Sequence, residues 1–130
     1  MAKFGKRSKE ILHSVDVKLV RILGKVIEFY DFTVISGMRN KEEQDTLYRE
    51  GRSKKLYPNS KHNSWPSKAV DIAPYPVDWE DNESFYFLAG MIKAVAYLEG
   101  IKVRWGGDWD SDNDLHDQTF FDLGHFELEE

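Results

Sequence analysis

Three short segments of this chain carry side chains that can bind a divalent cation: Ser60-Lys61-His62, Ala69-Val70-Asp71 and Gly124-His125-Phe126. A catalytic zinc site takes three protein ligands from histidine, aspartate or glutamate and keeps a fourth position for water. His62, Asp71 and His125 meet that count. With a single carboxylate among its ligands, such a site keeps net positive charge, able both to acidify bound water and to polarise a carbonyl. Cysteine is absent, which removes thiolate zinc sites and disulfides and leaves imidazole and carboxylate as the donors. Spacing alone does not establish the site. His62 and Asp71 do not share a helical face, His125 lies far along the chain, and a helical His-Glu-x-x-His motif is lacking. A lone histidine is more commonly a hydrogen-bonded surface or core group.

The elements that must position these residues can be read from periodicity. From Ser8 onward Ile11, Leu12, Val15, Leu19, Val20, Leu23, Val26 and Ile27 recur at three- and four-residue steps, the spacing of one helical face. Asp16 is placed to restart that helix as an N-cap. Phe32-Thr33-Val34-Ile35 is short and rich in β-branched residues and reads as a buried strand. Asn40-Lys41-Glu42-Glu43 has the form of a capping box opening a helix to about Glu50, with Gly51 as its stop. Residues 52–67 lack periodicity and form a long loop of the kind that commonly carries function. Ala69 to Ala73 returns to strand character, ended by Pro74 and Pro76. Phe85 to Leu98 is apolar on most sides, which predicts a helix deep in the core, closed by Gly100. Lys102 to Trp105 and His125 to Leu128 read as the last strands. The sum predicts an α+β fold with three helices and at least three short strands.

At 130 residues and 15.2 kDa, with 41% apolar and 14% aromatic residues, the chain fits one hydrophobic core and hence a single domain over residues 1–130. The net charge of −5 is unevenly spread: Lys3, Lys6, Arg7 and Lys9 crowd the N-terminus, and no Lys or Arg follows Arg104. That pattern argues against a nucleic-acid groove, which needs a basic stripe with interleaved aromatics. The basic cluster reads either as a solvated first turn or as a contact for an anionic surface. No apolar run has the length of a signal peptide or a membrane span, so synthesis in the cytoplasm without stable membrane insertion is expected. Asp108 to Asp114 alternates carboxylates like the start of a calcium loop. It lacks the glycine and the glutamate that an EF-hand needs at positions six and twelve, leaving a weaker calcium site or a solvated acidic turn.

Taken in order, several blocks carry a resemblance to a known family. They are Phe32-Thr33-Val34-Ile35-Ser36-Gly37-Met38-Arg39, Gln44 with Leu47-Tyr48 and Gly51, Ser60-Lys61-His62, Ala69-Val70-Asp71-Ile72-Ala73-Pro74, Arg104-Trp105-Gly106-Gly107-Asp108-Trp109, and Asp122-Leu123-Gly124-His125-Phe126-Glu127-Leu128. The sequence resembles the zinc peptidases that include the D-alanyl-D-alanine dipeptidases and carboxypeptidases of vancomycin resistance, and above all their phage endolysin-like L-alanyl-D-glutamate peptidase branch. The resemblance spans almost the whole chain and implies His62, Asp71 and His125 as ligands of Zn2+. It implies Asp122 as the carboxylate that activates water, and Arg39 as a cleft arginine that stabilises substrate or oxyanion. A structural salt bridge is the alternative role for Arg39. The implied fold is the small α+β domain shared with Hedgehog-type signalling domains. His13 and His116 match no ligand position and read as ordinary polar residues.

The implied function is hydrolysis of peptidoglycan stem peptides, at the L-alanyl-D-glutamate bond, by a monomer that reaches the wall with the help of a holin-type partner. The alternatives are a D-alanyl-D-alanine carboxypeptidase, or a non-catalytic zinc-containing wall-binding or virion component. One departure stands out: eight residues separate His62 from Asp71 where the family pattern has six. The longer stretch includes Trp65-Pro66 and is expected to bulge outward and border the cleft. Trp105 and Trp109 are expected either to wall the cleft or to pack in the core.

Overall fold

The computed structural model describes residues 2–116 and 121–129. The first helical run divides in two, α1 (Lys6–Leu12) and α2 (Val17–Val26). Two interactions force the break, one local and one long-range. The Asp16 carboxylate accepts the backbone N–H of Lys18 as an N-cap. Residues 14–16 are also drawn into extended pairing with Ser67, through Ser67 N–H to Ser14 C=O at 2.7 Å and Asp16 N–H to Ser67 C=O at 2.9 Å. The apolar spacing runs on across this break because both helices face the same core, not because the backbone stays helical.

After α2 come β1 (Phe32–Ser36), α3 (Lys41–Arg49), a 3₁₀ turn at Lys61–Asn63, β2 (Ala69–Pro74), α4 (Asn82–Leu98), β3 (Val103–Gly106) and β4 (Asp122–Leu128). The capping box at Asn40 forms with both of its hydrogen bonds. Gly51 (φ 74°) and Gly100 (φ 69°) end α3 and α4 in the left-handed region that glycine enters without strain. The described residues thus hold four α-helices and four strands, α+β as expected.

The strands form one antiparallel sheet in the order β1-β2-β4-β3. Alternation sends Val70, Ile72, Phe126 and Leu128 to one face, where they pack with Leu19, Ile22, Leu23 and Val26 of α2 and Leu88, Ala89 and Ile92 of α4. Each such side chain contributes roughly 1.5–3 kcal/mol on full burial. That stabilisation lets the other face of β2 and β4 hold polar and charged groups in a poorly hydrated recess. Helix α4 differs from expectation. Phe85, Leu88, Ala89, Ile92 and Ala96 are buried, whereas Phe87, Tyr97 and Leu98 are 62%, 77% and 82% exposed, so the helix lies on the sheet with one face out. Among the described residues no helix is long and apolar enough to cross a membrane.

At Gly124 β4 packs closely against β2. A Cβ there would sit 2.3 Å from the Ile72 carbonyl oxygen, a distance that backbone must move to relieve. Gly124→Ala is therefore expected to destabilise the protein by ~1–3 kcal/mol, read from the urea midpoint at unchanged slope. A midpoint equal to wild type would contradict the packing described.

Candidate metal centre

Register places the site. Asp71 of β2 lies directly opposite His125 of β4, and an irregularity in β1 shifts Ser36 into line with Asp71. Directly opposed residues project to the same face, so the three adjoining strands set Ser36, Asp71 and His125 side by side. His62 arrives from the 3₁₀ turn. Its turn is fixed by Ser60, whose hydroxyl accepts the His62 N–H, and by Asn63, whose side chain accepts the Ser60 N–H.

The three expected ligands converge. His62 Nε2 lies 3.3 Å from Asp71 Oδ2 and 3.4 Å from His125 Nδ1, and His125 Nδ1 lies 3.2 Å from Asp71 Oδ1. His62 and His125 are buried. The outer ring nitrogens are engaged as well. His62 Nδ1 donates to the Gly37 carbonyl at 2.7 Å, which leaves Nε2 as the lone-pair nitrogen facing the cluster. His125 Nε2 meets Glu127 Oε1 at 2.8 Å, which turns Nδ1 inward. Two tautomer-fixed imidazoles and one carboxylate, with one donor atom from each residue all within 4.8 Å of one another, fit a three-ligand divalent-cation site.

Asp71 is also held by Arg39 and Ser36. Its Oδ2 accepts Arg39 Nη2 at 2.6 Å and the Ser36 hydroxyl at 2.7 Å. Burial works against its charge, but the two imidazoles outweigh it and hold the carboxyl well below the usual carboxylate range. Arg39 in turn reaches Gln44 Oε1, and Gln44 is fully buried, donating to Ser53 and to the Lys55 carbonyl. Gln44 thereby ties α3 and the long loop to the arginine beside Asp71. Arg39 both lines the cleft and makes the salt bridge raised as its alternative role.

Asp122, at the first position of β4, lines the same recess as Arg39, His62 and His125. Its carboxyl is pushed up, first by desolvation against the recess walls and then by the negative charge of Asp71, with the imidazoles and Arg39 pulling the other way. Burial opposes charge on His125, but its hydrogen bonds to Asp71 and Glu127 prevail and raise its pKa to about 9. Burial also opposes charge on Glu127; the His125 hydrogen bond and the charges of His125, Lys61 and Arg104 lower its pKa to about 2. A metal ion must displace the proton on His125 Nδ1. Because that pKa is raised, the proton competes with metal over a wider pH interval than on a free imidazole. Apparent affinity for a divalent metal should therefore rise with pH across the interval in which His125 loses its proton. Titration against a metal-buffered chelator checks this; affinity flat across the interval would contradict it.

The remaining sequence expectations divide. Trp105 is a core residue, stacked on Phe126 with its indole N–H donated to the Leu123 carbonyl at 2.8 Å. Trp109 packs against the His125 ring at 5.4 Å and lines the recess. Trp65 and Pro66 bulge outward, with Trp65 70% exposed, and the Lys68 N–H to Lys61 C=O bond at 3.0 Å closes the loop behind them. They line neither recess that opens on the ligands, which corrects the expectation that this insertion borders the cleft. His13 and His116 are exposed, and His116 pairs with Asp114. In the acidic stretch Asp108, Asp110 and Asp112 bring carboxylate oxygens within 4.8 Å of one another; Asp108 is buried and accepts the Asn113 N–H, and the other two face solvent. Ser36, Asn63 and Glu127 carried no sequence-based role of their own. For Glu127 the only available signal is its place two residues after His125 in an alternating strand.

Comparison with known proteins identifies the family. The model of the phage L-alanyl-D-glutamate peptidase family matches residues 1–129. The L-alanyl-D-glutamate peptidase of Escherichia phage T5 is 34% identical over 135 residues, 97% of each chain. The crystal structure of the Serratia marcescens L-Ala D-Glu endopeptidase ChiX superposes with a TM-score of 0.77 at 30% identity, over 97% of this chain and 90% of that one. With a match along nearly its whole length, the chain belongs to the phage L-alanyl-D-glutamate peptidase family.

Proposed function

We propose that the protein is a zinc-dependent endopeptidase that cleaves the L-alanyl-D-glutamate bond of peptidoglycan stem peptides. The observation that carries this reading is the convergence of His62 Nε2, Asp71 and His125 Nδ1 at adjoining clefts that Asp122 also lines. When bound, zinc would supply a Lewis acid that lowers the pKa of its water and polarises the scissile carbonyl. The chain's residues then divide the work. His62 and His125 present fixed lone pairs, and Asp71 supplies one negative charge, so that the centre stays net positive. The Asp122 carboxylate takes a proton from the attacking water and returns it to the leaving amine. Its raised pKa suits that exchange, since a stronger base accepts the proton more readily. Arg39 orients Asp71 through its 2.6 Å contact with Oδ2, and presents positive charge to the oxygen that becomes anionic during attack.

Digestion of purified peptidoglycan followed by mass spectrometry tests the bond assignment. New N-terminal D-glutamate ends are expected. Free D-alanine in their place would mark a carboxypeptidase, and an undigested polymer would mark a binding component. Action as a monomer, released to the wall by a holin-type partner, belongs to the same proposal. It predicts that the protein expressed alone leaves its host intact until the membrane is permeabilised.

A further inference from the structure

We infer that Glu127 is a positioning residue for the proposed zinc, fixing which nitrogen of His125 meets the metal and strengthening it as a donor. The inference rests on the metal-centre reading above. Strand alternation places His125 and Glu127 on one face of β4, two residues apart, and Glu127 Oε1 lies 2.8 Å from His125 Nε2. Glu127 is only 5% exposed. A buried carboxylate on the outer nitrogen of an imidazole takes its N–H, directs the other lone pair at the cation and raises the basicity of the ring.

The other oxygen of Glu127 is equally constrained. Oε2 lies 3.4 Å from Lys61 Nζ and 3.4 Å from Arg104 Nε. Arg104 sits opposite Glu127 across the β3–β4 pairing, and its buried Nε has no hydrogen-bond partner, so it acts on the carboxylate through charge. Lys61 immediately precedes the ligand His62 and also donates to the Leu128 carbonyl. Glu127 therefore stands between the two histidine segments, with one cation from the His62 turn and one from the edge strand. Charge neutralisation of Lys61 and Arg104 alone would not require an oxygen aimed at the ring nitrogen.

The test measures zinc affinity of the full chain by competition with a chromogenic chelator, for wild type, Glu127→Gln and Glu127→Ala. Thermal unfolding of each protein without zinc is recorded in parallel. Glutamine keeps an acceptor of the same shape but removes the charge, and should weaken zinc binding about tenfold; alanine removes both and should weaken it by up to ~100-fold. Nitrogen-15 NMR of the zinc-loaded wild type should show His125 metallated at Nδ1 and protonated at Nε2. Glu127→Gln binding zinc as tightly as wild type would overturn the inference, even where alanine fails to fold, and so would metallation at Nε2. Wild type that binds no zinc would overturn the metal centre itself and this inference with it.

Discussion

Asp122→Ala should bind about one zinc per chain, the stoichiometry expected of wild type, yet hydrolyse peptidoglycan ~10²–10⁴ times more slowly. The separation follows from where the carboxylate sits. Asp122 belongs to β4 but lies outside the cluster of His62, Asp71 and His125 whose donor atoms converge. Removing it takes away the proton acceptor and leaves the ligands in place. Its effect on pH dependence has a defined sign. Asp122 is raised from the ordinary aspartate range by desolvation and by Asp71, and it works as a base only when ionised. Activity should therefore fall as pH drops through its pKa, and that acid limb should disappear from the residual rate of the variant. Zinc content by atomic absorption and release of soluble peptide ends read the two properties separately. Full activity in Asp122→Ala would eliminate the proposed base.

His62→Ala should lose both zinc and activity. Its Nε2 faces Asp71 and His125 while its Nδ1 is bonded to Gly37, so alanine deletes a ligand and leaves a buried carbonyl unpaired. The unpaired group costs about 1–3 kcal/mol of stability. Without the third ligand the remaining pair, Asp71 and His125, hold a cation far less tightly. Cleavage should fall to background in metal-buffered solution, and added zinc should not restore it at concentrations that saturate wild type. Circular dichroism establishes that the variant is folded before its rate is compared. Wild-type activity without bound zinc would remove the metal from the reaction.

What the sequence makes legible here is local chemistry. The Asn40 capping box and the stops at Gly51 and Gly100 depend on side chains within a few residues of one another, and the folded chain keeps them. The Asp16 cap is legible in the same way, but its consequence is not: the helix splits because Ser14 and Asp16 pair with Ser67, some fifty residues away. The candidate ligands are named by residue type and family resemblance, whereas their meeting depends on register. Asp71 faces His125 only because β2 and β4 pair as they do, and a one-residue slip of either strand would put the two side chains on opposite faces of the sheet. Glu127 shows the limit most clearly. As one polar residue in an alternating strand it carries no mark of its role, which appears only when the His125 ring and the cations of Lys61 and Arg104 surround it. The same holds for the paired tryptophans: composition cannot say that Trp105 enters the core while Trp109 lies on the ligand ring.

Anomalous diffraction at the zinc absorption edge, from crystals of active protein, tests the central claim most directly. A single strong peak should lie about 2.0–2.2 Å from His62 Nε2, from one Asp71 oxygen and from His125 Nδ1, with a fourth place open to solvent beside Asp122. A peak elsewhere, or none at that position in protein that still cleaves peptidoglycan, would contradict it.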